Sequence, residues 1–132
     1  MKKILTTLAC AAVALASSAI AGEYPDISIN ELKAAIKDGK VTVIDVNGSS
    51  SYAKGHIPGA IDFRSTKDLA AALPKEKDAL VVAYCGGPSC SAYKAAATKA
   101  EELGYTNVKH LSAGISGWLQ AGEATEKVDS KG

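Results

Sequence analysis

The sequence predicts an α/β domain in which a parallel sheet carries helices on both of its faces. Residues 79–84 form an unbroken apolar run, which is typical of a strand that is buried on both sides. Residues 41–46 form a second strand rich in β-branched side chains, and segments with helical spacing separate these strands from later ones. Strands that alternate with helices favour parallel pairing, so this order indicates an α/β fold.

The first helix of this domain carries recognisable signals at both of its ends. Ser28 and Glu31 have the Ser-x-x-Glu spacing of a capping box, and Leu32 and Ile36 follow at helical spacing. Gly39 is a suitable residue to end the helix. The pattern therefore predicts a helix that begins directly after Ser28.

The remaining elements continue the alternation of strands and helices. They are a short strand at 60–63, a helix at 66–73, a helix at 91–103, a strand at 108–111 and a helix at 115–121. We expect the polar residues 123–132 to form a frayed tail, because they have no apolar periodicity and so no apolar face to pack against the core.

The first 21 residues have the pattern of a cleaved secretory signal peptide. Lys2 and Lys3 precede an apolar run over residues 4–16, which is too short to cross a membrane. Ala19 and Ala21 then form a small-x-small cleavage site. We expect cleavage near Ala21 and a periplasmic or secreted protein, with no stable membrane association once the signal is removed.

The expected mature chain is one domain of residues 22–132, with a core at about 28–124. Its 132-residue precursor has 15 basic and 14 acidic side chains and only 5% aromatic residues, so neither its charge nor its composition indicates nucleic-acid binding. Cys10 lies within the signal, where a lipoprotein signal would require a leucine in place of Thr7.

The segment that follows residues 79–84 is the candidate active-site loop. Cys85 stands where ligands bind in α/β sheets, beyond the carboxyl end of a strand. Tight folding at the next two glycines would direct backbone N–H groups at one centre, and such groups stabilise a thiolate, which is the reactive form of cysteine. The expected substrate- or anion-binding loop consists of Gly86, Gly87, Pro88, Ser89 and Cys90.

Cys90 gives this loop a second thiol. A neighbouring thiol can convert an oxidised or persulfidated cysteine into a disulfide. Cys90 is therefore a possible resolving thiol, which would make the protein a dithiol oxidoreductase or, where the first cysteine carries a persulfide, a protein that releases sulfide internally. The alternative is that Cys90 only fills a position for a small residue.

Two further segments, together with the cysteine loop, resemble the rhodanese-like domains, which are single-cysteine sulfurtransferases. Residues 44–46 (IDV), Tyr52 and residues 55–60 (GHIPGA) are similar to the first signature of that family. Residues 103–122 are similar to its second signature, GY.NV..L..GI.GW..AG. The resembling segments run from about residue 41 to residue 122, in the family's order and spacing.

The resemblance implies a fold and an activity. The implied fold is a five-stranded parallel sheet with helices on both faces. The implied reaction transfers sulfane sulfur from a small donor to Cys85, which then holds a persulfide, and onward to a thiol, protein or other thiophilic acceptor. The resemblance implies no metal and no organic cofactor.

The sequence departs from the family at charged positions near this loop. Gly86 and Cys90 stand where the family often has arginines, and Asn47 and Ser51 replace an arginine and an acidic residue. Without arginines in the loop, thiosulfate loses charge-assisted hydrogen bonds, so we expect it to be a poor donor. Arg64, the single arginine of the chain, follows a predicted strand and is a possible substrate cation.

Two other site chemistries are disfavoured by spacing. Phosphatases of a related fold close a Cys-x5-Arg cradle, but Ser91 and Ala92 occupy the corresponding positions after the loop. His56 and His110 do not combine with the two loop cysteines in a common zinc spacing. The open hypotheses are a sulfurtransferase, a thiol–disulfide oxidoreductase and a non-catalytic module that binds sulfur or a partner.

Overall fold

The structure is a computed structural model that describes residues 24–128. Helices and strands alternate through this part of the chain. The helices are α1 (Ile29–Lys37), α2 (Ser49–Lys54), α3 (Leu69–Ala72), α4 (Tyr93–Glu102) and α5 (Gly114–Gln120). The strands are β1 (Val41–Asp45), β2 (Ile61–Asp62), β3 (Leu80–Tyr84) and β4 (Asn107–His110).

The strands form one parallel sheet in the order β2-β1-β3-β4. This arrangement confirms the predicted α/β fold class. The resemblance implied five strands, whereas residues 24–128 contain four paired strands and a single parallel bridge between Asp26 and His110 at the edge of β4. Asp45 pairs with Tyr84, so the carboxyl ends of the two central strands meet at one edge of the sheet.

The two faces of the sheet are covered by separate groups of helices. Val81 and Ala83 pack in a core cluster with buried residues of α3 and α4, whereas Val82 and Tyr84 pack in a second cluster with residues of α1 and α5. This division follows from the two-residue period of a strand, which sends successive side chains of β3 to opposite faces. The prediction of helices on both faces is confirmed.

The capping signal of α1 is confirmed at atomic detail. The Glu31 backbone N–H donates to the Ser28 hydroxyl at 3.0 Å, and the Ser28 backbone N–H donates to the Glu31 carboxylate at 3.1 Å. Two other helix starts were predicted too early. Asp68 caps α3, which begins at Leu69 instead of residue 66, and α4 begins at Tyr93 instead of residue 91.

The prediction of a frayed tail is wrong as far as Val128. Glu126 and His56 exchange two backbone hydrogen bonds of 2.9 Å, and the Val128 N–H donates to the Ala53 carbonyl at 3.1 Å. We call residues 124–128 the C-terminal strap. It also satisfies the buried indole of Trp118, which donates to the Ala124 carbonyl at 2.8 Å. Residues 129–132 lie outside the described residues.

Candidate active site

Cys85 lies at the carboxyl end of β3, next to the central pair of strands. Its side chain is only 2% exposed and packs on the sheet face that carries α3 and α4. Because β3 is buried from Val81 to Tyr84, the strand holds the start of the loop in a fixed position. The position predicted for the reactive cysteine therefore corresponds to a well-packed site at the ligand-binding edge of the sheet.

The loop after Cys85 is anchored to the beginning of α5. The Ile115 N–H donates to the Cys85 carbonyl and the Ser116 N–H donates to the Gly86 carbonyl, both at 2.9 Å. These donors belong to the first turn of the helix, where backbone N–H groups have no partner within the helix. Helix α5, which belongs to the second family signature, therefore has a structural role. Its first turn holds the loop that begins at Cys85.

The loop then turns back on itself and brings its second cysteine to the first. The Cys90 N–H donates to the Gly87 carbonyl at 3.1 Å, which closes a turn whose second residue is Pro88. Proline favours that position because its fixed φ matches the turn. The structure joins Cys85 and Cys90 in a disulfide, with their Cα atoms 6.3 Å apart. That separation lies within the range that disulfides require.

A buried polar network lies beside the cysteine loop and joins β1 to the turn at residues 55–60. The Tyr84 hydroxyl donates to Asp45 Oδ2 at 2.6 Å and accepts from the Ile57 N–H at 3.0 Å. The Asn47 N–H donates to Asp45 Oδ1 at 2.7 Å. Burial raises the pKa of Asp45. Burial is the main cause that raises the pKa of the Tyr84 hydroxyl, and the hydrogen bond to Asp45 raises it further.

The two histidines have different environments, and each stacks on a tyrosine. His56 Nδ1 lies 2.7 Å from the Tyr52 carbonyl, and the two rings stack with centroids 3.7 Å apart. His110 stacks on Tyr93 with centroids 3.4 Å apart, and burial lowers its pKa. Within residues 24–128, no group of three or more histidine, cysteine, aspartate or glutamate side chains is arranged to hold a metal ion.

A cleft of about 650 Å³ opens beside the loop at Gly86. Asn47 and Ser51, two of the positions at which the sequence departs from the family pattern, both line it. Lys54 of α2 and Lys127 of the C-terminal strap also line it, and no acidic residue of the described chain does. We call this the lysine cleft. Its charge favours an anionic ligand, because opposite charges attract and focus at concave surfaces.

The sequence analysis did not identify Lys127 as a site residue, because the segment that carries it was expected to be frayed. Thr125 and Lys127 line the cleft, whereas the Glu126 carboxylate accepts from the Gly59 N–H at 3.0 Å. This alternation is the usual pattern of an extended segment. Arg64 is exposed, and its backbone N–H donates to Asp62 Oδ1 at 3.1 Å. It is not one of the residues that line the lysine cleft.

Comparison with known protein families assigns this chain to one of them. The family model described as "Rhodanese-like domain" matches residues 28–121, which include every helix and strand described above. The chain belongs to the rhodanese-like domain family. The expected family resemblance is therefore confirmed over most of the chain.

Two relatives of this rhodanese-like domain are named for different functions. It is 36% identical over 113 residues to the HTH-type transcriptional regulator Rv0324 of Mycobacterium tuberculosis, a match that covers 83% of this chain and 49% of the regulator. It is 33% identical over 85 residues to the thiosulfate sulfurtransferase GlpE of Pseudomonas paraeruginosa, covering 63% of this chain and 74% of that enzyme. The chain thus spans about half the length of the regulator and most of the enzyme.

The solved structures contain the same fold. The crystal structure of the BH2092 protein from Bacillus halodurans superimposes with a TM-score of 0.65 at 29% identity, covering 79% of this chain and 77% of that one. The fold of this rhodanese-like domain is therefore the one inferred from its sequence.

Proposed function

We propose that this rhodanese-like domain is a sulfurtransferase in which Cys85 carries sulfane sulfur as a persulfide. The observation that carries the proposal is the position of Cys85, at the end of the central strand β3 and at the head of a loop bonded to α5. The similarity to a thiosulfate sulfurtransferase supports it.

The proposed reaction has two displacement steps. In the first, the thiolate of reduced Cys85 attacks the sulfane sulfur of the donor, and the donor's S–S bond breaks as its leaving group departs with the electron pair. In the second, a thiophilic acceptor such as a thiol or cyanide attacks that sulfur, and the Cys85 thiolate is released. Since only the thiolate attacks, the disulfide with Cys90 must be reduced before the first step.

The lysine cleft meets the cysteine loop at Gly86, and neither Cys85 nor Cys90 lines it. Its charge supports an anionic donor. Lys54 and Lys127 supply cations that the loop itself lacks. Lysine acts as a point charge and does not hold an oxyanion with the paired hydrogen bonds of arginine. We therefore propose a polysulfide as the better donor and retain the prediction that thiosulfate is a poor one.

The test is sulfur transfer to cyanide, measured as thiocyanate, with reduced and with oxidised protein. We expect the reduced protein to transfer sulfur from polysulfide and the oxidised protein to be inactive. Cys85→Ser should abolish transfer, and Lys40→Ala, at an exposed residue beyond the amino end of β1, should retain it. Transfer that survives in Cys85→Ser would disprove the role of this cysteine.

A thiol–disulfide oxidoreductase is the second candidate, and the disulfide between Cys85 and Cys90 is the observation that favours it. Cys90→Ser separates the two functions. Transfer to cyanide should survive this substitution in a persulfide carrier, whereas exchange with a dithiol substrate requires both cysteines.

A non-catalytic module that binds sulfur or a partner is the third candidate. Its support is the similarity to the transcriptional regulator, in which the matched region makes up 49% of the protein. If the chain is such a module, Cys85→Ser should leave its function in cells unchanged. A loss of that function in Cys85→Ser would favour the sulfurtransferase instead.

We also propose export to the periplasm, or secretion, with cleavage near Ala21. The proposed signal lies outside the described residues, and between residues 24 and 128 no helix is long and apolar enough to cross a membrane. Cell fractionation and the intact mass of the purified protein test the proposal. A cytosolic protein that retains Met1 or residues 2–21 would contradict it.

A further inference from the structure

We propose that Cys90 is the resolving thiol for the persulfide on Cys85, so that the protein reduces sulfane sulfur to hydrogen sulfide at the expense of an external dithiol. This inference rests on the proposed persulfide chemistry and assigns an internal acceptor to it. The resulting activity is that of a sulfane-sulfur reductase.

The loop geometry brings the two cysteines together without movement of the surrounding elements. The turn from Gly87 to Cys90 closes with a hydrogen bond of 3.1 Å, and the two cysteine Cα atoms are 6.3 Å apart. The start of the loop is held by α5 through the carbonyls of Cys85 and Gly86. A thiol at position 90 therefore lies within reach of Cys85 Sγ in the folded protein.

A purely structural role explains this disulfide poorly. The cysteines are five residues apart, and the entropy that a crosslink removes from the unfolded chain grows with the length of the loop it closes. The first cysteine is already held by β3 and by the hydrogen bond from Ile115. The strand and the helix already hold this part of the loop, so the crosslink adds little constraint. A chemical role for the disulfide is therefore favoured.

The two cysteines differ in exposure, and this difference assigns a separate step of the reaction to each of them. Cys85 is 2% exposed and lies in a core cluster, whereas Cys90 is partly buried at the edge of that cluster. A bulky acceptor reaches a buried sulfur with difficulty, and Cys90 is already beside it. Conversely, an external thiol reaches the more accessible Cys90 more readily, and attack there releases the Cys85 thiolate for the next donor.

The proposed step balances in atoms and electrons. The Cys90 thiolate attacks Cys85 Sγ, the persulfide S–S bond breaks, and the terminal sulfur leaves with the electron pair as HS⁻. The new bond joins Cys85 and Cys90. The sulfane sulfur has gained two electrons from the two cysteine thiols, and an external dithiol restores them as it becomes a disulfide. The net reaction converts a sulfane sulfur and a dithiol into hydrogen sulfide and a disulfide.

The test is a single turnover of the reduced protein with polysulfide, after removal of reductant and excess donor. Any protein that retains residues 1–21 carries Cys10→Ser, so that the third cysteine contributes no thiol. Intact mass and free sulfide are followed over time. A persulfide adds about 32 Da and a disulfide removes about 2 Da relative to the reduced protein.

We expect the protein with both loop cysteines to gain the persulfide mass transiently and then to form the disulfide, with release of one sulfide per persulfide lost. Cys90→Ser should keep the persulfide and release no sulfide until an external thiol is added. Lys40→Ala, at an exposed residue beyond the amino end of β1, is the control and should behave like the parent protein.

The outcomes separate this inference from the proposed function. A persulfide that is equally stable with and without Cys90 would overturn the resolving role and leave the sulfurtransferase intact. If Cys90→Ser gains no persulfide mass at all, the proposed persulfide carrier fails as well. Disulfide formation without matching sulfide release would also overturn the inference, because direct oxidation would then account for the bond.

Discussion

Gly114 approaches the peptide bond after Gly86 so closely that a Cβ atom on Gly114 would lie 2.6 Å from the Gly86 carbonyl oxygen. Gly114 also has a φ of +64°, a conformation that side chains disfavour. This close approach allows Ile115 and Ser116 to donate hydrogen bonds to the cysteine loop. The glycine of the second family signature therefore positions the loop that carries the first cysteine.

The substitution Gly114→Ala should destabilise the protein and displace the loop. We expect a loss of about 3 kcal/mol in the free energy of unfolding, because backbone strain and a clash with backbone atoms add. Gly122→Ala is the matched control, since Gly122 has a φ of +79° but open space around it, and it should lose about 1 kcal/mol. Denaturant unfolding measures both. Equal losses would show that the contact with Gly86 contributes nothing.

The buried carboxyl of Asp45 should make stability depend on pH. Burial raises its folded-state pKa, so the folded protein binds the Asp45 proton more tightly than the unfolded chain does. The stabilisation from that proton is complete below the unfolded pKa of about 4 and is lost as the pH rises through the folded pKa.

Relative to Asp45→Asn, the natural protein should therefore lose free energy of unfolding as the pH rises from about 4 towards neutrality. The measurement is denaturant unfolding at a series of pH values. Asp78→Asn, at an exposed carboxylate, is the control. A difference between Asp45→Asn and the natural protein that stays constant with pH would contradict the prediction.

The lysine cleft should contribute to binding of an anionic sulfur donor. Lys54→Ala and Lys127→Ala should each raise KM for polysulfide roughly two- to five-fold with little change in kcat, since an exposed ion pair contributes about 0.5–1 kcal/mol. The increase should shrink at high salt, which screens such interactions. Lys40→Ala, at the opposite, amino end of β1, is the control. A KM that changes as much in Lys40→Ala would argue against a specific cleft.

Removal of the C-terminal strap should destabilise the fold and open the cleft. A chain that ends at Glu123 lacks the backbone pairing of Glu126 with His56 and leaves the Trp118 indole without its acceptor at Ala124. We expect a loss of about 2–3 kcal/mol, because an unpaired buried donor and several hydrogen bonds are involved.

Thermal unfolding of two truncated proteins tests this role of the strap. The matched truncation ends at Val128 and removes only residues 129–132, which lie outside the described residues. Its melting temperature should equal that of the full chain. If the chain that ends at Glu123 also melts at that temperature, the strap is not part of the stable fold.

The elements predicted best are those determined by nearby residues. The capping box of Ser28 and Glu31 acts within one helical turn, and the apolar run that became β3 is buried on both faces of the sheet. Both signals lie within a few consecutive residues, so the sequence displays them directly. The position of Cys85 followed from the same local pattern.

The elements missed are polar segments stabilised by distant partners. Helix α2 has the sequence SSSYAK, which offers no apolar stripe, and its Tyr52 hydroxyl donates to the Ala60 carbonyl at 2.6 Å. The C-terminal strap pairs with His56, which lies far from it in the sequence. The alternation of Thr125, Glu126 and Lys127 was the only local signal, and three residues are too few to indicate an extended segment.

The sequence by itself determined the strands, the helices other than α2, the family signatures and the cysteine at the head of the loop. Each of these depends on side-chain pattern and spacing along a short stretch of chain. Only the tertiary structure decided that Cys90 meets Cys85, that Gly114 lies against Gly86, and that Lys54 and Lys127 line one cleft. The physical reason is that these relationships depend on how turns fold and how packed elements bring distant residues together.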